Sequence, residues 1–320
     1  MIPSKAHFVW FGRSFPWIYG MALRTAARRG GFEEVILHHE DDLDREAGWR
    51  VALDTPGVSA RRLAPRRLLE ATGDTGSALA DLYSRLKQPA ARSNMVRAAI
   101  LATDGGVYLD TDIITVASFE PLMGAGVFCG AERIALPGAL SRTRRPDRWA
   151  AAGLRLLARD ILRRAPRGYR AFSRLEGLYP AVVNNAVLAS RPGHPFVVDL
   201  LRRMLEMPAS RQLVRFALGT HLLEEAVSEY RGDDLAVHPP RVFYPLGPEI
   251  SEHWFREYDG AETAEIVGGE TVCVHWYASV RTARVIPAID PAQVARTGSR
   301  RLMSALLLDH LDPHGAAAAT

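Results

Sequence analysis

The sequence predicts an α/β protein whose sheet opens with parallel strands, and three observations carry this. "AHFVWF" (6–11), a run of β-branched and aromatic residues after Pro3, reads as a buried strand; residues 17–29 read as a helix stopped at Gly30-Gly31; "EEVILHHE" (33–40) reads as a second strand. Strand, helix, strand is how a parallel sheet begins. The same grammar returns at 93–120, where a helical pattern runs into Gly105-Gly106 and then into strand formers. Finally, the chain has 320 residues, 48% of them apolar. A chain of that size hides roughly 75% of its extended surface, which suits one large domain or two modest ones.

The remaining elements follow in order. Between 41 and 92 the sequence reads as polar loops around 54–60 and 72–76, with helices at 64–71 and 77–86. In "SNMVRAAILATDGG" (93–106) apolar residues fall at 95, 96, 99, 100 and 101, with Ser93 as N-cap. "VYLDTDIITV" and "GVFCGAE" (126–132) read as strands. Residues 140–174 form an arginine-dense helical insert. Within it Trp149, Gly153, Leu156, Leu157 and Ile161 fall on one helical face and Arg148, Arg155, Arg159 and Arg163 on the other. "PAVVNNAVLAS" (180–190) reads as a strand, 195–206 and 210–230 as helices, and "AVHPPRVFYPL" and "TVCVHWYAS" as late strands. This gives one domain over 1–290, then a C-terminal helix and a disordered tail over 291–320, ending in "HGAAAAT".

Composition removes several function classes. No stretch reaches the ~18 apolar residues of a membrane span. "MIPSKAHFVWFG" lacks the features of a signal peptide, so the expected location is cytoplasmic, with the inner face of the membrane as the other option. Two distant cysteines, Cys129 and Cys273, exclude a disulfide framework and a cysteine-built zinc site, and both read as small buried apolar residues. Only Lys5 and Lys87 of the 40 basic residues are lysine, and the net charge is +4. The insert's basic run lacks interleaved aromatic residues, which argues against nucleic acid as a partner. Three readings of the insert stay open: a solvated surface, a helix lying on an anionic membrane, or a contact for a phosphate-bearing acceptor.

Asp110 and Asp112 carry the chemistry. Two apart at the end of an apolar strand, their side chains point to one face, with Thr111 on the other. Carboxylates that close resist joint ionisation without a cation, and a hard divalent ion such as Mn²⁺ or Mg²⁺ takes one or two carboxylates together with substrate phosphates. The C-terminal end of a strand is also where open α/β sheets bind ligands.

"NMVRAAILATDGGVYLDTDI" resembles the central motif of the DxD-type, sugar-binding-region glycosyltransferases, and glycosyltransferase family 32 is the family it looks most like. "IPSKAHFVWFG", "VNNAVLASRPGHPF", "RVFYPL" and "VHWYAS" are similar to the family's opening, middle and closing segments. The resemblance implies a GT-A, Rossmann-like fold with a mixed, mostly parallel sheet flanked by helices. It implies a metal-dependent, retaining hexosyltransferase of bacterial polysaccharide biosynthesis. Such an enzyme moves a hexose or N-acetylhexosamine from a nucleotide sugar, expected to be UDP-linked, to a glycan, lipid-linked or small-molecule acceptor.

The same resemblance implies the roles. Asp110 and Asp112 hold metal and donor, with Asp112 the more direct ligand, and His275 completes the metal shell. Arg97 contacts the donor pyrophosphate or sugar, a task its bidentate guanidinium suits. Trp10 stacks on the base. Asn94, Asn184, Asn185 and Trp276 join the nucleotide-sugar site. Three positions depart from the family's pattern: Asn94 replaces an Asp, Gly219-Thr220-His221 replaces a Thr-Gly-Pro turn, and Val280 follows Ser279 where a second Trp is usual. Two other functions compete. One is a degenerate transferase that binds a nucleotide sugar without turning it over. The other is a haloacid-dehalogenase-type phosphatase, which "VYLDTDIIT" partly resembles, although no Lys follows Lys87.

Overall fold

Side-chain alternation along the strands builds a two-sided core. On β1 (Lys5–Trp10) Phe8 faces one apolar cluster and Val9 the other, and on β4 (Gly106–Leu109) Val107 and Leu109 face the first cluster while Tyr108 faces the second. Both faces are covered, which is what a largely parallel sheet requires. The computed structural model describes residues 1–138, 140, 143–212, 214 and 217–311. The tail "HGAAAAT", expected to be disordered, lies outside the described residues.

In chain order the first half is β1, α1 (Trp17–Arg29), β2 (Glu34–His39), α2 (Ala47–Leu53), β3 (Val58–Arg62), α3 (Pro65–Glu70), α4 (Gly76–Arg85), α5 (Pro89–Thr103), β4, β5 (Ile113–Thr115) and β6 (Val127–Arg133). The insert supplies α6 (Pro146–Leu162) and α7 (Gly168–Leu175). Then come β7 (Ala181–Ser190), α8 (Pro195–Glu206), α9 (Ala209–Gln212), α10 (Leu222–Glu229), β8 (Leu235–His238), α11 (Pro240–Phe243), β9 (Cys273–His275), α12 (Pro291–Thr297) and α13 (Leu302–Leu308). Seven strands form one sheet in the order β3-β2-β1-β4-β7-β6-β8. β7 alone runs against its neighbours β4 and β6, so the sheet is mixed and mostly parallel. Cys129 and Cys273 are free and buried. Among the described residues no helix is long and apolar enough to cross a membrane.

Several boundaries depart from the sequence reading, each for a local reason. β3 lies within a stretch read partly as loop. It is an edge strand with no fully buried residue, so it lacks an apolar signature. α5 begins at Pro89, and Ser93 therefore sits inside the helix rather than capping it; proline at the first turn starts a helix without losing a needed donor. "RVFYPL" forms the short helix α11, again led by proline, instead of a strand. The helix expected over 210–230 is broken at Gly219, whose backbone (φ −120°, ψ −114°) is not helical. The C-terminal helix is two short ones, and α13 buries Leu302, Met303 and Leu307 in the core.

The periodicity of α6 leaves open which of its two faces meets the protein. Arg159 donates to Glu249 Oε2 at 3.2 Å, Arg163 lies 3.8 Å from Glu252, and Arg155 donates to the Leu178 carbonyl at 2.8 Å. These arginines face the protein. Trp149, Leu157 and Ile161 face water at 49%, 59% and 59% exposure. Leu156 departs from its expected companions and packs on the core side.

Candidate active site

The expected strand "VYLDTDIITV" breaks at its two acids. β4 ends at Leu109, Asp110-Thr111-Asp112 form a turn closed by Ile113 N–H donating to the Asp110 carbonyl at 3.1 Å, and β5 leaves for a separate two-stranded sheet with β9. A turn, rather than strand period, brings both carboxylates to one side. Antiparallel pairing of β5 with β9 sets Ile113 opposite His275, which brings His275 Nε2 to 3.1 Å from Asp112 Oδ1. One ligand atom from each of Asp110, Asp112 and His275 lies within 4.8 Å of the others.

Asp110 is held from below. Arg97 Nη2 donates to its Oδ1 at 2.7 Å and Tyr108 Oη does so at 2.8 Å, while the Arg97 guanidinium lies 4.1 Å over the Tyr108 ring. Arg97 also donates to the Asn185 carbonyl. It is 5% exposed, a buried cation whose partners are fixed in advance. Asp112 is held from the other side, by Ala278 N–H donating to Oδ2 at 2.7 Å. That amide is turned inward by Tyr277, whose φ of 55° is left-handed and uncommon for a residue of its size.

The two acids titrate apart. Burial raises the Asp110 carboxyl, and the neighbouring Asp112 adds to that against the pull of Arg97. Burial works on Asp112 too, but His275 and the Ala278 amide outweigh it and hold Asp112 below the ordinary carboxylate range. Burial disfavours the His275 cation, and the Asp112 carboxylate against it more than offsets this, so His275 is raised. His275 Nδ1 is buried with no hydrogen-bond partner among the described residues. Two carboxylates and an imidazole with an orphaned nitrogen form an oxygen-rich donor set that fits a divalent cation such as Mn²⁺.

These groups open into a cavity of about 500 Å³. Its walls also hold Asn94, Asn184 and Asn185, together with Gly219, Thr220 and His221 from the break before α10. Asn185 Nδ2 donates to Asn94 Oδ1 at 2.9 Å, and Thr220 Oγ1 donates to Asn185 Oδ1 at 3.4 Å. A Cβ at Gly219 would stand 2.6 Å from Asn94 Nδ2, so any other residue there has to displace the Asn94 amide. Asn184 and Asn185, read as a strand end, sit in mid-strand on β7, where the register with β6 shifts beyond Cys129.

Trp10 and Trp276 are not brought to this wall. The Trp10 ring packs on Phe15 and Tyr19, and its indole donates to the Gly12 carbonyl. Trp276 is fully buried against Tyr19 and Phe255. Sequence reasoning missed Glu132 and Tyr277, which line the cavity with the others. Tyr277 Oη donates to Glu132 Oε2 at 2.8 Å, and burial raises the Glu132 carboxyl. The signal was available, since Glu132 is a lone acid in the strand "GVFCGAE", where a buried position is expected.

Residues 32–128, which include Arg97 and both acids, match the family described as the glycosyltransferase sugar-binding region containing DXD motif. No curated protein matches the chain. Among solved structures the chain is similar to the PaToxG glycosyltransferase, at 13% identity and a TM-score of 0.43 over 71% of this chain and 69% of that one. It is also similar to the apo form of mouse xyloside xylosyltransferase 1, at 12% identity and a TM-score of 0.44 over 86% and 99%. The galactosyltransferase LgtC, in complex with donor and acceptor sugar analogs, is similar at 11% identity and a TM-score of 0.35 over 89% and 96%. No residue's role follows from likenesses this remote. The matched region is the one that supplies the paired acids, and over that region the chain is similar to glycosyltransferases of the DXD type.

Proposed function

We propose that the protein is a metal-dependent, retaining glycosyltransferase, and that it moves a hexose or N-acetylhexosamine from a UDP-linked donor to a glycan, lipid-linked or small-molecule acceptor. The observation that carries the reading is the convergence of Asp110, Asp112 and His275 within 4.8 Å in the cavity wall. Those three residues would hold Mn²⁺ or Mg²⁺. Such an ion supplies a Lewis acid for the diphosphate oxygens of the donor.

The chain's own residues account for the rest. The bond from the sugar's anomeric carbon to the diphosphate breaks, and negative charge grows on the leaving group. Arg97 keeps the Asp110 carboxyl oriented toward the cavity and opposes its protonation, because its guanidinium is tied to Tyr108 and to the Asn185 carbonyl. Preorganised charge of this kind needs no rearrangement as the reaction proceeds. Asn94, Asn185 and Thr220 form a ladder of amide and hydroxyl groups that both donate and accept, which suits sugar hydroxyls. Glu132, held by Tyr277, adds a carboxyl to the same wall. For retention we favour a front-face route in which the departing phosphate takes the acceptor's proton. Trp10 is only partly buried and keeps a surface on which a base can stack, whereas a donor-site role for Trp276, which is fully buried, needs a rearrangement of the aromatic cluster in which it is packed.

The test is a panel of nucleotide sugars assayed for hydrolysis, with water as acceptor, in Mn²⁺ and in chelator. UDP release from at least one UDP-sugar, abolished by chelation, is expected. Mn²⁺-dependent UDP binding with neither hydrolysis nor transfer across the panel would replace this reading with that of a degenerate binding protein. Phosphate release from a phosphosugar would replace it with a phosphatase.

A further inference from the structure

The insert turns its apolar stripe outward. On α6, Trp149, Leu154, Leu157 and Ile161 are 49%, 69%, 59% and 59% exposed, and Leu175 and Leu178 beyond it are 40% and 66% exposed. At 100° per residue the four side chains of α6 fall within one broad sector, which they share with Gly153 and the ion pair of Asp160 with Arg164, while Ala152, Arg155, Leu156, Arg159 and Arg163 fall in the opposite one. The opposite sector is where the ion pairs to Glu249 and Glu252 are made. The helix is therefore pinned by its charges and presents its hydrophobes to solvent. Nothing in catalysis requires this, and a continuous exposed stripe of large apolar residues marks an interaction surface.

Charge selects the partner. Residues 144–174 hold ten arginines against Asp147 and Asp160. Arg144, Arg145, Arg148, Arg164, Arg170 and Arg174 are exposed. Of these, Arg144, Arg148 and Arg174 make no ion pair among the described residues. A second copy of the chain laid on the stripe would bring two arginine-rich borders together. An anionic lipid surface would meet both features at once, apolar side chains entering the acyl boundary and guanidinium groups meeting the headgroup phosphates. We infer that α6 is a membrane-surface helix that docks the enzyme on an anionic bilayer through Trp149, Leu154, Leu157 and Ile161.

The core-facing side of α6 rests against residues that flank the cavity wall. Glu249, which accepts from Arg159 of α6, also accepts from Ala135 N–H at 2.7 Å, and Ile134, Leu136 and Pro248 on either side of these residues line the cavity.

The experiment is co-sedimentation of the full chain with vesicles of phosphatidylcholine containing one-third phosphatidylglycerol, compared with pure phosphatidylcholine. The parent should sediment with the anionic vesicles and far less with the neutral ones, and high salt should weaken the binding. The variant Trp149→Ser/Leu157→Ser/Ile161→Ser should lose vesicle binding about tenfold or more while keeping donor hydrolysis, since none of the three lines the cavity. Equal binding by parent and variant, or no binding by the parent to anionic vesicles, overturns the inference. So does a parent that sediments as a dimer and a variant that is monomeric with vesicle binding unchanged, which assigns the stripe to a second copy.

Discussion

The turn at Asp110–Asp112 and the helix α6 both concentrate charge, yet they dispose of it in opposite ways. At the turn, charged groups point into a cavity and each is fixed by partners on other elements: Arg97 from α5, His275 from β9, Ala278 N–H beyond it. On α6 the arginines at 155, 159 and 163 serve as the glue to the body, and the apolar side chains are left in water. Charge turned toward the protein is structural in the second region and chemical in the first. What separates them is whether the buried partners satisfy one another. Arg159 and Glu249 close their own account, whereas Asp110, Asp112 and His275 leave two like charges adjacent and one ring nitrogen without a partner. A set of groups that is incomplete by itself is one arranged for something else to bind.

The sharpest way to break this contrast is at Asp112. Asp112→Asn keeps the size and the acceptor for Ala278 N–H but removes the charge that pairs with His275 and that a cation needs. Losing one preorganised charged contact typically costs roughly 3–4 kcal/mol of transition-state stabilisation, or 10²–10³ in rate. Purified Asp112→Asn should therefore lose nearly all donor turnover while its denaturation midpoint stays close to the parent's. Turnover above a tenth of the parent rate would show that Asp112 is a structural residue like Arg159.

How far the sequence reached differs between the same two regions. The strand–helix–strand opening and the helix before Gly105-Gly106 were legible because their apolar residues repeat with clear periods and glycines punctuate them. The acids stood out because a D-x-D after an apolar strand is informative. His275 could be placed beside them only through resemblance, because the β5–β9 pairing that brings it there spans some 160 residues and leaves no local trace. Glu132 carried a signal, as a lone acid in a strand expected to be buried, but no spacing tied it to the other site residues. On α6 the period separated the arginines from Trp149, Leu157 and Ile161, misplaced Leu156, and left open which face meets the protein. Hydrophobic period fixes which residues share a face; the facing protein decides which face is buried, and here that protein offers Glu249 and Glu252.

A second test sets buried neutral groups against the charged site. Burial lowers His7 to about 4 and His38 to about 3, where they share a 3.1 Å hydrogen bond beneath β1 and β2; burial also lowers His253 to about 4, where its Nε2 meets the Leu162 carbonyl at the end of α6. In the unfolded chain these rings take a proton near pH 6.5. The folded state excludes it, so their contribution is complete above 6.5 and is lost as pH falls from 6.5 toward 4, by about 1.4 kcal/mol per pH unit for each histidine. His275 works the other way, since its raised value adds stability below 6.5 that fades as pH rises. Burial lowers His310 to about 4 and lowers His238 as well, so five rings outweigh one. The urea midpoint should fall clearly between pH 7.5 and 5.5. A midpoint that is flat down to 5.5 would mean that these rings take up protons in the folded state as readily as in the unfolded chain.

The smallest expected effect is the most direct comparison of the two faces of α6. Leu157 is 59% exposed, so Leu157→Ser should change stability by no more than about 0.5 kcal/mol, much of it lost helix propensity. Arg159 has a side chain 19% exposed and holds Glu249, itself 11% exposed at the side chain and bonded to Ala135 N–H. Arg159→Leu deletes the partner of a nearly buried carboxylate and should cost about 1–3 kcal/mol. This reverses the usual expectation, in which the leucine is the core residue and the arginine the dispensable one. Urea denaturation of the two variants decides it: if Leu157→Ser is the more damaging, the stripe is buried against the protein and α6 sits with its arginines in water, which would remove the membrane face along with the contrast from which it was inferred.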